Sequence, residues 1–362
     1  MSQRMPTTSG LRARPEIEAL TAYRLRREAL VKLNQNESPW DWPPELKDEV
    51  LRRVAARPWN RYPAVDSEAL RQALAESCGV SPTMIAVTNG SNEAILALVS
   101  TYATGRRVVV TAPGYSMVAP LAVIGGATVQ AVPLREDFSL DTEAMVAAVS
   151  SPEVAVTIIA SPNNPTGNAF ARPSLTAVLE SSRGLVVIDE AYAQFTAASF
   201  VGDLSRYGHL AIVRTFSKGF ALAGVRVGWI IAGEAVLEAV RKALPPYNVN
   251  VFSQEAALVA LQRPELVSGR VEALIAERRR LEGVVRAIDG VTIYPSEANF
   301  LLLRTRAPAA DVFAGLLERG VLVRDVSRGP LLENCLRVTV GTHAENNQFL
   351  DALRASVRGR SA

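Results

Sequence analysis

The stretch LAIVRTFSKGFALAGVRVGWIIAG, residues 210–233, holds two apolar, β-branched runs joined by a Gly-flanked turn that carries a lysine, Lys218. Runs of this kind, apolar without polar alternation, mark strands covered on both faces. Upstream the same pattern recurs as MIAVT (84–88), RRVVVTAP (106–113), ATVQAVPL (127–134), VAVTIIA (154–160) and GLVVIDE (184–190), with helical patterns between them. Strands alternating with helices predict an α/β fold, a large domain built on a mostly parallel sheet with helices on both sides. Ligands in such sheets sit beyond the carboxyl ends of the strands, so the residues just after each run are the candidates for chemistry.

Downstream the pattern changes. From Asn248 to about Ile288 the chain is helical and charged, through QEAALVALQ and VEALIAERRRLEGVVRAI. Then come the strand-like runs ANFLLLRT, VLVRDV and CLRVTVG, the helical stretch APAADVFAGLLERG and a closing helix around AENNQFLDALRASV. This order predicts a smaller α+β domain over 249–362, a large domain over 41–248 and an N-terminal arm, 1–40, that joins the smaller one.

Composition narrows the function classes. A chain of 362 residues with 48% hydrophobic content can bury a large core. Its 39 basic and 36 acidic residues leave a net charge of +3, spread along the chain, which speaks against a nucleic-acid partner. No run reaches the roughly 20 apolar residues that span a bilayer, so no membrane partner is expected. Cys78 and Cys335 stand alone, without disulfide or zinc spacing, and point to a reduced, cytoplasmic setting and no metal. Histidine is limited to His209 and His343, which leaves histidine-based catalysis little material. Neither a GxGxxG nor a GxxxxGK[ST] motif opens a helix after a strand, so dinucleotide and nucleoside-triphosphate chemistry lose their main support.

The chemistry must then come from a lysine, a carboxylate or a borrowed cofactor. Lys218, in a small-residue turn after a buried strand, is placed for partial desolvation, which frees its amine to attack a carbonyl. Thr215 and Ser217 beside it and Arg226 eight residues on supply donors suited to a phosphate. In VVIDEAY, Asp189 ends a very apolar strand and needs a cationic partner. The protonated pyridine nitrogen of pyridoxal 5'-phosphate would be one, and Tyr192 could place its hydroxyl near the ring oxygen. In ASPNNPTGN (160–168), Pro165 restricts Asn164 and can aim its amide at a bound ring. In TNGSNEAIL (88–96), Gly90 leads into a helix whose first amides, from Ser91 and Asn92, form an anion site fit for a phosphate.

Together SPNNPTG, VIDEAY, RTFSK with AGVRVG, SEANFLLLR and CLRVTVGT, in this order from about Leu33 onward, resemble the fold-type I pyridoxal-phosphate aminotransferases, and among them the histidinol-phosphate aminotransferase branch. The resemblance implies a seven-stranded cofactor domain, a homodimer with active sites at the subunit interface, and ping-pong amino transfer. It implies that Lys218 holds the cofactor as a Schiff base and then moves the proton, and that Asp189 pairs with the ring nitrogen. Asn164 and Tyr192 would bond the ring hydroxyl, and Tyr115 of APGYSM would stack on the ring. Ser91, Asn92, Ser217 and Arg226 would hold the phosphate, helped by Tyr62 of NRYP from the neighbouring subunit. Arg337 and Arg324 would bind the substrate anion, while Asn34, Asn36 and Glu37, with Tyr23 before them, would close the site from the N-terminal arm. The chain departs from the family pattern at TAYRLRRE, at ESPWDWPP and at Gln194.

The implied reaction is L-histidinol phosphate with 2-oxoglutarate, in histidine biosynthesis. The alternatives are an aromatic amino acid aminotransferase or a phosphothreonine decarboxylase of the same fold. A third is a non-catalytic regulator, against which the joint presence of Lys218, Asp189 and Arg226 argues.

Overall fold

A computed structural model describes residues 12–22 and 28–358. Among these the chain forms a short strand β1 (Val31–Lys32), then β2 (Ile85–Thr88), β3 (Arg107–Ala112), β4 (Thr128–Pro133), β5 (Val154–Ala160), β6 (Leu185–Asp189), β7 (Leu210–Thr215) and β8 (Gly228–Ala232). All seven apolar runs named above become β2 to β8 and form one seven-stranded sheet in the order β2-β8-β7-β6-β5-β3-β4. The β3–β4, β3–β5, β5–β6 and β6–β7 pairs are parallel; β8 alone runs against both neighbours. Every residue of β5 and β6 is buried, which is why these strands read as unbroken apolar runs. One apolar layer, around Leu98, Val108, Val156 and Ile230, packs on one side of the sheet. Another, around Leu74, Phe138, Ile159, Ile212 and Phe216, packs on the other.

The charged region after Asn248 is a helix pair, Val251–Leu261 and Pro264–Arg286. Pro264 stands in the first turn of the second helix, where its missing N–H costs nothing, and it bars helix from the residue before it. The remaining strands are β9 (Val291–Ile293), β10 (Phe300–Thr305), β11 (Val321–Leu322), β12 (Arg324–Asp325) and β13 (Cys335–Thr339). The VLVRDV run is therefore not one strand. Its first half, β11, pairs with β1 in parallel, and its second half, β12, joins a four-stranded antiparallel sheet ordered β12-β13-β10-β9. The break at Val323 lets one segment serve two sheets and delivers Arg324 to the cleft. A second core of Leu33, Leu274, Leu281, Phe300, Val338 and Phe349 holds this unit together, and it takes in Tyr192 and Phe195 from the large sheet's side.

Candidate active site

A cavity of about 540 Å³ opens beyond the carboxyl ends of β5, β6 and β7, between the large sheet and the strands β12 and β13. It is lined by Asn36, Glu37, Ser91, Asn92, Tyr115, Asn164, Asp189, Tyr192, Ser217, Lys218, Arg226, Arg324 and Arg337, so residues far apart in sequence converge on it. Lys218 stands just past β7, and its Nζ donates to the carbonyls of Gln35 and Asn36, each at 3.0 Å. Burial brings its amine down to about 7; Arg337 and Arg226 push the same way, Glu37 and Asp189 against it. A good fraction of the amine is thus neutral at physiological pH, the form that attacks carbonyls and accepts protons.

Asp189 closes β6 and is 3% exposed. Its Oδ1 accepts the Ala191 N–H at 3.0 Å, a local turn rather than a salt bridge. Burial pushes its carboxyl up to about 7, and the Glu190 charge adds to this, while the Ala191 N–H and Lys218 oppose it. A carboxylate so placed gains from a cation set beside it. Tyr192, pushed up to about 12 by burial, stays a neutral hydroxyl. That hydroxyl accepts from Asn36 Nδ2 at 2.9 Å and from Asn164 Nδ2 at 3.4 Å. Asn164 in turn accepts from Arg337 Nη1 at 2.6 Å, and Arg337 Nη2 donates to the Asn34 carbonyl at 2.7 Å. The Arg337 guanidinium also lies 5.3 Å from the centre of the Phe300 ring, which flanks it on an apolar side.

The other end of the cavity is a cradle for an anion. The helix Ser91–Tyr102 begins after Gly90, whose φ of 80° is open to glycine and strained for other residues. A Cβ on Gly90 would lie 2.4 Å from Arg226 Nη2, and one on Gly228 would lie 2.7 Å from the Ser91 nitrogen. Bare backbone is thus what lets the guanidinium approach the helix start, where amides and dipole favour negative charge. Arg226 Nη1 donates to Ser217 Oγ at 3.2 Å, and Ser217 shares a hydroxyl contact of 2.9 Å with Thr215. The Tyr115 hydroxyl donates to Asn92 Oδ1 at 3.2 Å, which sets the ring at the cavity wall.

Most of the expected site residues meet here, with three differences. Asn34 faces Arg337 with its backbone carbonyl, not its side chain. Tyr62 does not line this cavity; it is 79% exposed and stacks on Tyr247 with centroids 4.5 Å apart. Tyr23 lies outside the described residues. Sequence reasoning missed the strap that holds Asn36. The Asn36 N–H donates to Thr339 Oγ1 at 2.9 Å, and its carbonyl, besides receiving Lys218, accepts from Asn299 Nδ2 at 3.1 Å. Both partners sit inside the SEANF and CLRVT motifs, so the signal was present but the pairing across 263 and 303 positions was not.

These residues fit pyridoxal phosphate. A buried carboxylate in want of a cation suits the ring nitrogen, a lysine amine near 7 suits the aldehyde, and the glycine-bared cradle with Arg226 suits the phosphate. Residues 28–353 match the family described as aminotransferase class I and II. Histidinol-phosphate aminotransferase 2 of Nitrosococcus oceani is 40% identical over 94% of this chain and 96% of its own length. The histidinol-phosphate aminotransferase of Pyrococcus furiosus is 41% identical over 89% of this chain and 91% of its own. The crystal structure of histidinol-phosphate aminotransferase from Sinorhizobium meliloti in complex with pyridoxal-5'-phosphate shares the fold, with a TM-score of 0.87 over 96% of this chain and 98% of that one, at 24% identity. The chain therefore belongs to the aminotransferase class I and II family and is a pyridoxal-phosphate-dependent transaminase of fold type I.

Proposed function

We propose that this enzyme transfers the amino group of L-histidinol phosphate to 2-oxoglutarate, giving imidazole-acetol phosphate and L-glutamate, as a step of histidine biosynthesis in the cytoplasm. The observation that carries this reading is the presence of two guanidinium groups, Arg324 and Arg337, in the same cavity as Lys218 and Asp189. A site that takes a phosphate monoester in one half-reaction and a dicarboxylate in the other needs anion binders indifferent to which arrives, and guanidinium forks match both. The relatives named above, at about 40% identity over most of the chain, support the same donor.

When bound, the cofactor supplies a carbonyl for amine exchange and an electron sink for the carbon that loses its proton. The protein's own groups do the rest. Lys218 Nζ, neutral in good part near pH 7, is the base that takes the proton from the substrate carbon bearing nitrogen and later returns one. Asp189 would hold its negative charge against the ring nitrogen, and the Tyr192 hydroxyl, fixed by Asn36, would donate to the ring oxygen. Arg226, Ser217 and the first amides of the Ser91–Tyr102 helix would anchor the phosphate. In this reading the smaller domain, to which the described residues 249–358 belong together with the arm residues 28–40, would bring Arg324 and Arg337 to segment 41–248, which would carry the cofactor site. Two such chains form a homodimer in this reading, with Tyr62 of one subunit reaching the other's phosphate.

The test is spectroscopic. Cofactor-loaded protein is titrated separately with L-histidinol phosphate, phenylalanine and phosphothreonine while the visible absorption is followed. Loss of the visible band at the lowest concentration with histidinol phosphate supports the assignment. Preference for phenylalanine, or release of carbon dioxide from phosphothreonine, overturns it.

A further inference from the structure

The carboxylate next to Asp189 belongs to Glu190, and none of the roles above uses it. In the β6–β7 register Asp189 stands opposite Val213, so the following residues, Glu190 and Arg214, lie side by side on the other face of the sheet. Glu190 is 1% exposed and fully enclosed. Its Oε2 accepts from Arg214 Nε at 3.0 Å, Arg214 Nη2 at 2.6 Å and the Ser199 hydroxyl at 3.2 Å, and its Oε1 accepts the Phe200 N–H at 2.7 Å. The Glu190 N–H donates to the Val213 carbonyl at 2.8 Å, and Arg214 Nη2 also donates to Ser199 Oγ at 2.9 Å. Arg214 leads, through Thr215 and Ser217, directly into Lys218.

We propose that Arg214 is a positioning residue for the cofactor: paired with Glu190 behind the sheet, it fixes the Asp189 carboxylate opposite Lys218 and offsets the Glu190 charge that would otherwise bear on it. The inference rests on the pyridoxal-phosphate reading of the site. Geometry supplies the mechanical half, since one ion pair joins the end of the strand bearing Asp189 to the strand that delivers the lysine. Charge supplies the other half. Asp189 feels the charges of Glu190, across the sheet, and of Lys218; Lys218 feels those of Arg337, Glu37 and Arg226 as well; Arg214 lies against Glu190 and the Cys78 thiol. In this set Arg214 is the cation held against Glu190 by direct hydrogen bonds.

The test uses the full-length holoenzyme and reads cofactor dissociation, its dependence on pH and the temperature of unfolding. Arg214→Met should weaken cofactor binding at pH 8 by roughly 10-fold or more, the size of effect seen when an outer partner of a site residue is removed. Arg214→Lys should restore most of that loss. Glu190→Gln keeps the shape and removes the charge, so the acid limb of cofactor binding should move to lower pH. A folded Arg214→Met enzyme that holds the cofactor within twofold of wild type would overturn the proposal. Should Arg214→Met fail to fold, an unmoved acid limb in Glu190→Gln overturns it instead. Wild-type protein that binds no pyridoxal phosphate would overturn the underlying reading, and the inference with it.

Discussion

Lys218 and Asp189 carry opposite perturbations of similar origin: burial makes the amine easier to deprotonate and the carboxyl harder. Lys218→Ala should lower transamination by ~100-fold or more, the scale of a lost acid–base group. Circular dichroism and the unfolding temperature should show the fold kept, and wild-type turnover by the variant would refute the assignment. For Asp189 the sign of the pH effect can be worked out. Its carboxyl in the folded chain is at about 7, above the ordinary 3.8, so the folded chain binds the extra proton across that window. Stability from this group therefore falls as pH rises from about 4 to 7, and the cost is fully present above 7. Asp189→Asn should accordingly raise the unfolding temperature of cofactor-stripped protein at pH 8 and leave it little changed at pH 4. The same change should weaken cofactor binding by roughly 10- to 100-fold, as expected for one lost charge-assisted bond. Calorimetry at the two pH values, with a cofactor titration, separates the gain from the loss.

At the level of elements, the site depends on strand ends and one helix start meeting a strap from the N-terminal arm. All seven strands of the large sheet were legible: a strand buried on both faces must be almost wholly apolar, as VAVTIIA is, and only the edge strand β4, with Val132 its one buried residue, departs from that. VLVRDV was read as one strand and is two, β11 and β12, since alternation cannot tell which of two sheets a residue joins. Lys218, Asp189, Asn164 and Arg226 were legible as candidates from motifs at the ends of β5, β6 and β7 and just before β8, and the fold brings all four to one cavity. The Asn36 strap was not, because a hydrogen bond between distant segments leaves no local pattern. Two predictions belong to these elements. Gly90→Ala would drive a methyl against Arg226 Nη2 at a φ of 80°, and should weaken phosphate anchoring enough to lower cofactor affinity by about tenfold, a 1.4 kcal/mol effect of the size of a lost hydrogen bond. An unchanged affinity would place the phosphate elsewhere. Arg337→Ala on β13 removes the fork that also holds Asn164, so KM should rise for amino donor and keto acid alike, by roughly 10-fold or more. A rise confined to one of them would refute a shared anion site.

On the scale of the whole molecule the exposed aromatics are informative. Trp59 and Tyr62 are each 79% exposed, Phe252 is 44% exposed, and Tyr62 stacks on Tyr247 at an interplanar angle of 14°. Large apolar side chains left outside a core that otherwise buries its aromatics are suited to contact with a second subunit. If Tyr62 serves the partner's phosphate, its removal should weaken cofactor binding by roughly 10- to 100-fold, as for a hydrogen bond to a charged group. Affinity alone would not say whose site is affected, but a mixed dimer does. In a dimer of one Lys218→Ala chain and one Tyr62→Ala chain, action across the interface leaves one site with both Lys218 and Tyr62, and the other with neither. Such a dimer, isolated with two different tags, should show about half the wild-type turnover at wild-type cofactor affinity. Were Tyr62 to act within its own chain, the site that keeps Lys218 would lack the tyrosine, and turnover would appear only at the raised cofactor concentration of the Tyr62→Ala enzyme.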